Sequence, residues 1–230
     1  MRKVIFMVVL GAASCGLLLA KDEEKQLQKA NDVLNQIMGT PEKGVPRDLL
    51  NRALCVGIVP SEVRFAIGIG GTYGRGVLVC RRGGNGSWGP PSLFSLGGAN
   101  IGFQLGGKAT DVVFIVMNPS GARKLLQSKV KLGADASATA GPVGRTAEGA
   151  TDAQLHAEIL SYSRTRGLFA GVSLEGAVFK QDTENNRHLY GENIDATDIL
   201  LKGKVRVPSA ARALDASLTK YSPHGGQPFA

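Results

Sequence analysis

Histidine is scarce in this chain. His156, His188 and His224 are the three among 230 residues, and they form no HExxH pair for a catalytic metal. Cysteine is equally sparse at three, and neither Cys55 nor Cys80 has a second cysteine or a histidine at zinc-ligand spacing. No GxxxxGK[ST] loop is present, and Gly68-x-Gly70 lacks the third glycine of a dinucleotide fingerprint, which removes the usual nucleotide sites. No serine has glycine two residues before and two after it, so the nucleophile elbow of a hydrolase is missing too. Aromatic residues make up 6%, with a single tryptophan, and no strip of aromatic and basic residues suits a nucleic acid. The composition therefore implies no cofactor, no metal and no nucleic-acid partner.

What the chain does have is glycine, 31 residues of it, interleaved with apolar runs rather than gathered in linkers. With 43% hydrophobic residues, 230 residues can bury one sizeable core. Helical spacing places Leu27, Ala30, Leu34 and Ile37 on one face, widened by Val33 and Met38, behind a capping Asp22 and before Gly39 and Pro41. That stripe can pack on a sheet, which is the favoured reading, or lie in a membrane interface. Pro46 opens a short helix through Leu49, Leu50 and Ala53. Strand patterns follow at Ala53 to Val59, Val63 to Gly70, Gly74 to Arg82, Ala99 to Gly106 and Asp111 to Met117. Glycines alternate within several of them, so one strand face is nearly bare. Such faces suit sharp curvature, and they leave room for a ligand or a close helix. Helices are expected from Asn118 to Leu126, Asn193 to Leu201 and Pro208 to Lys220. The expected fold is α+β: a strongly twisted, barrel-like antiparallel sheet with N- and C-terminal helices packed on it.

Residues 129 to 179 carry the most information. Small residues in the first part imply backbone-to-backbone packing, and a hairpin follows with a turn at Thr165 and Arg166. In that register one face aligns Leu155, Ala157, Ile159 and Ser161 with Ala170, Val172, Leu174 and Gly176. The other opposes His156 to Glu175 and Tyr162 to Phe169, with Glu158 diagonal to Glu175. Two carboxylates about 7–8 Å apart could serve a hydrolase, although a satisfied polar cluster explains them more simply. A basic set of Lys124, Arg145, Arg164 and Arg166, near Arg123, Lys129 and Lys131, suits phosphate oxygens.

The segments SYSRTRGLFAG at Ser161 to Gly171, CVGIVPS at Cys55 to Ser61, and GTYGRGV at Gly71 to Val77 resemble the SYLF family of lipid-binding domains. So do SLGGANIGFQLGGKATDVVFIVMN at Ser95 to Asn118 and KLGADASATAGPVGR at Lys131 to Arg145, in order over about Leu27 to Ala210. The resemblance implies a non-enzymatic binder of phospholipid or membrane surface. Tyr162 and Phe169 would meet acyl chains, and Arg164, Arg166, Arg145 and Lys124 would meet phosphate. An envelope protein-interaction module is the alternative, and a hydrolase using Glu158 and Glu175 a weaker one. An SH3- or FYVE-like extension is not expected after the domain, and an actin role is not carried over from the resemblance.

Residues 1 to 20 read as a signal peptide: a basic start at Arg2 and Lys3, an apolar middle from Val4, and a small-residue exit at Ala20. Its removal would lower the formal net charge from +8 to +6, an excess that suits anionic partners. Export to a periplasm or medium is expected, with lipoprotein anchoring through Cys15 a weaker alternative. A single domain would span residues 21 to 221, and a flexible tail 222 to 230. In an oxidising compartment Cys55 and Cys80 could form a bridge or remain buried thiols.

Overall fold

The computed structural model describes residues 22–39, 44–67, 69–99, 110–144, 154, 156–165 and 168–223. The expected leader, Arg145, Arg166, the far part of the strand expected at Ala99 to Gly106, and nearly all of the expected tail lie outside them. Helix α1 (residues 22–38) is followed by α2 (Arg47–Arg52), β1 (Cys55–Ile67), β2 (Ile69–Cys80), β3 (Ser92–Ala99) and β4 (Thr110–Val116). Then come α3 (Pro119–Leu125), β5 (Lys129–Lys131), β6 (Ala138–Ala140), β7 (Ile159–Thr165), β8 (Leu168–Gly171) and β9 (Val178–Gln181). Helices α4 (Thr183–Tyr190), α5 (Ala196–Leu200) and α6 (Arg212–Tyr221) close the described chain.

Nine strands make one mixed sheet in the order β5-β9-β3-β2-β1-β4-β7-β6, with β8 also paired to β7. All pairs are antiparallel except β6 with β7. The sheet is curled into a half-barrel, and chain length requires it. Eight strands laid flat would span about 34 Å, at ~4.8 Å per gap. The edge strands β5 and β6 are joined by residues 132–137, a link that reaches at most about 25 Å. The aromatic rings record the same curl. Phe114 on β4 and Phe179 on β9 have centroids 6.3 Å apart, although four strand gaps would separate them by about 19 Å in a flat sheet.

Each face buries its own core, as period-two alternation demands. Phe94, Phe114, Phe179, Leu96, Val112 and Val116 fill the concave side with Ile199 and Leu200 of α5. Val56, Ile58, Val77, Val113, Ile115 and Leu160 line the convex side under Leu27, Leu34, Leu49, Leu214 and Leu218 of α1, α2 and α6. The apolar stripe of α1 is thus consumed by packing. Polar contacts tie the two terminal helices together: Asn35 Nδ2 donates to Ser217 Oγ at 3.2 Å and Tyr221 Oη to Asn35 Oδ1 at 3.1 Å.

The alternating glycines serve the curl in a way the pattern alone did not specify. A Cβ on Gly57 would lie 2.1 Å from the Phe114 ring, and one on Gly76 would lie 2.3 Å from Phe94. The space belongs to an aromatic ring of the adjoining strand, not to a ligand or a helix. At Pro60 the ladder slips, with register shifts between Val59 and Glu62 and between Ile58 and Val63. A proline has no N–H to donate, so a bulge accommodates it. Cys55 and Cys80 face each other directly across β1 and β2 and are joined as a disulfide, with Cα atoms 4.0 Å apart.

Candidate functional site

The hairpin register differs from expectation by two residues. Thr165 belongs to β7 and pairs with Leu168, and Tyr162 pairs with Gly171 rather than Phe169. A slip of two keeps every side chain on its face, so Tyr162 and Phe169 still meet, stacked diagonally with centroids 5.3 Å apart. Small residues then lock the far side. Strand β6 runs beside β7, and Ser161 Oγ donates toward the carbonyls of Thr139 and Val172 at 3.1 and 2.8 Å. Gly141 and Gly171 approach so closely that a Cβ on Gly171 would sit 2.2 Å from the Gly141 carbonyl oxygen.

The expected acid/base constellation does not form. Strand β8 ends at Gly171, so Glu175 lies beyond the ladder in a turn, where it packs on Gly133. Glu158 is engaged elsewhere. Lys124 Nζ donates to both of its carboxylate oxygens at 2.8 Å, and the Ser137 amide donates at 2.8 Å. Burial opposes ionisation of Glu158, but hydrogen bonds from Lys124, Ser120 and Ser137 outweigh it and hold the carboxyl below its usual range. This is a brace between α3 and the start of β7.

Of the expected headgroup residues, the two that the structure describes are already paired. Lys124 is committed to Glu158. Arg164 forks onto Asp111 Oδ2 of β4, with Nε at 3.0 Å and Nη2 at 2.5 Å, and Nη1 also meets Gln36 of α1. Tyr162 is 0% exposed, so it cannot meet acyl chains as expected; burial raises its phenol, whose hydroxyl has no hydrogen-bond partner among the described residues. Phe169 is half-buried against the convex core. Arg145 and Arg166 lie outside the described residues.

A different set of residues stands free, and only sheet register reveals it. One end of the sheet is defined by Thr110 and Thr165, whose hydroxyls meet at 3.0 Å. Leu168 lies there, 74% exposed, paired with Thr165. Tyr73, 50% exposed, lies at the same level on β2, paired with Val63. Strand β6 runs parallel to β7 toward that end, and Val143 follows it, 47% exposed. Three of the four exposed large apolar side chains among the described residues are therefore at one end of the sheet. From this end β1 and β2 run on past the last β1–β4 pair, Glu62 with Thr110, with β3 beside β2 as far as the pair Gly71 with Ala99. The sequence there is apolar at Val63, Phe65, Ile67 and Ile69.

A shallow apolar dimple between β2 and α6, lined by Val79, Pro91, Leu214 and Asp215, holds about 160 Å³, below the usual ligand-pocket size of ~300 Å³ or more. No helix among the described residues is long and apolar enough to cross a membrane, and no cluster of His, Cys, Asp or Glu there could hold a metal.

The chain is similar in sequence to known proteins over most of its length. "LAS seventeen-binding protein 3" of Saccharomyces cerevisiae is 35% identical over 199 residues, covering 84% of this chain and 42% of that protein. "Protein YSC84" of the same yeast is 34% identical over 197 residues, covering 83% and 41%. The human "SH3 domain-containing YSC84-like protein 1" is 30% identical over 210 residues, covering 90% and 60%. The chain thus spans about two-fifths to three-fifths of these relatives' lengths, and the first of them is named as a binding protein. The profile described as "Ysc84: Las17-binding protein actin regulator" matches residues 97–221. On that match to more than half of its residues, the chain belongs to the Ysc84 family, whose domain is the SYLF domain.

Proposed function

We propose that this protein is a non-catalytic binding module that docks on anionic phospholipid surfaces outside the cytoplasm. The observation that carries the reading is the placement of the exposed Tyr73, Val143 and Leu168 at one end of the sheet. Exposed apolar side chains scattered singly need no explanation, but a cluster at one end marks a contact surface. Two features support an extracytoplasmic setting: the apolar leader in residues 1–20 and the Cys55–Cys80 bridge, since disulfides persist where the compartment is oxidising. The names of the relatives favour a second reading, a protein-interaction module that uses the same rim.

Vesicle sedimentation tests the first reading. The wild-type protein should pellet with phosphatidylcholine vesicles containing phosphatidylglycerol, and Leu168→Asp should bind about ten-fold more weakly, the scale of one buried leucine. No pelleting with any vesicle, together with a protein partner lost on Leu168→Asp, would replace it with the second.

A further inference from the structure

We propose that Lys129, Lys131 and Lys180 form the surface that contacts phosphate headgroups, an inference that rests on the membrane reading above. Helices α1, α2 and α6 cover the convex face over the middle of the sheet and Leu189 of α4 packs against the same core, whereas Lys129 and Lys131 of β5 and Lys180 of β9 are exposed. Concave and convex positions alternate there. Val130 and Phe179 are buried in the concave core, so Lys129, Lys131, Val178 and Lys180 point to the other side. Register sets them in two rows. Lys129, Lys180, Ser95 and Arg75 form one transverse row, and Lys131, Val178, Gly97 and Tyr73 the next. The second row ends on Tyr73, at the apolar rim.

Lys129 and Lys180 are direct cross-strand partners. Like charges so placed, with Cβ atoms about 4.5–5.5 Å apart, destabilise a sheet. Edge strands often carry lysine to block unwanted pairing, which would account for Lys129 and Lys131 on β5. It does not account for Lys180, because β9 is paired on both sides, to β3 and to β5. Among the described residues none of the three ammonium groups has an ion pair. The neighbouring carboxylate, Asp135, accepts from the Lys131 amide at 2.7 Å through Oδ2, and Asp182 faces Arg75 at 3.6 Å. An anion laid across these rows would relieve the repulsion that the fold leaves in place. A membrane supplies such anions in the plane of the rim, so the occupant is the phosphate of anionic phospholipid.

The test uses the full chain with vesicles of phosphatidylcholine alone or mixed with phosphatidylglycerol. The triple variant K129Q/K131Q/K180Q should bind the mixed vesicles about a hundred-fold more weakly, at about five-fold per lysine, with a shallower salt dependence. The corresponding triple arginine variant should bind like wild type. Should the glutamine triple fail to fold, Lys180→Gln alone should lose about five-fold. Equal binding of wild type and glutamine triple overturns the lysine surface and leaves the membrane reading standing. Failure of the wild type to bind either vesicle overturns both, as does equal wild-type binding to the two. Displacement of the wild type by inorganic phosphate, but not by chloride at matched ionic strength, would make free phosphate the ligand and overturn the lipid assignment.

Discussion

Arg81 is among the largest side chains that the fold buries completely. Burial pushes its guanidinium down to about 10, still protonated at neutral pH. It stacks 4.0 Å from the Trp88 ring and donates to the carbonyls of Ala53, Gly86 and Ser222, each at 3.1 Å. Trp88 Nε1 donates to the same Ser222 oxygen at 3.0 Å. Ser222, which the sequence assigns to a flexible tail, is therefore held inside the domain. Arg81→Met should cost at least about 2 kcal/mol, because several buried carbonyls lose their donor, and denaturant unfolding would measure it. Glu158 offers a test by pH. Its folded value lies below the ordinary carboxylate range, so its contribution is present above that range and disappears as pH falls through the folded value. Glu158→Gln should be less stable than wild type by about 1 kcal/mol near neutrality, since Lys124 is partly exposed. The gap should close in acid, as thermal melts across pH would record.

Between elements, the firmest links are close approaches and one covalent bond. Strand β8 crosses Gly141 with no space for a methyl group at Gly171. Gly171→Ala should therefore cost about 1–3 kcal/mol, or more if the backbone cannot move, visible as a lowered Tm. The Cys55–Cys80 bridge closes β1 onto β2 across a sequence separation of 25. Loop-closure entropy assigns it about 3 kcal/mol. Reduction should lower Tm, and peptide mapping without reductant should recover the two cysteines linked. Helix α4 was legible but overlooked: Asp182 accepts from the Asn185 amide at its start, and Gly191 ends it in the left-handed conformation.

For the whole molecule, the curl decides what can be a surface. It gathers Phe94, Phe114 and Phe179 inside and turns Lys129, Lys131 and Lys180 of β5 and β9 outward, while register sets Tyr73, Val143 and Leu168 at one end. If that end meets anionic lipid, binding should fall as salt rises, because salt screens exposed charges separated by more than about 10 Å at 0.1 M. The apolar part should persist. Sedimentation at several salt concentrations would separate the two contributions.

Local pattern was enough to place α1, α2, α3, β4 and parts of β1, β2, β7 and β8, but not β3, β5, β6 or β9, and to set Tyr162 and Phe169 on one face, because periodicity and caps act over a few residues. It was also enough for the α+β class and the curled sheet, since alternating glycines leave room for a strand to bend. Pairing across long separations was beyond it. Only the folded chain decided that Arg164 would fork onto Asp111, that Lys124 would brace Glu158, and that Lys180 would face Lys129. Those partners are 53, 34 and 51 residues apart in the chain, and register, not spacing, brings them together. A charge read along a sequence has a sign but no neighbour; the sheet supplies the neighbour, and with it decides whether the charge is neutralised inside or left facing water.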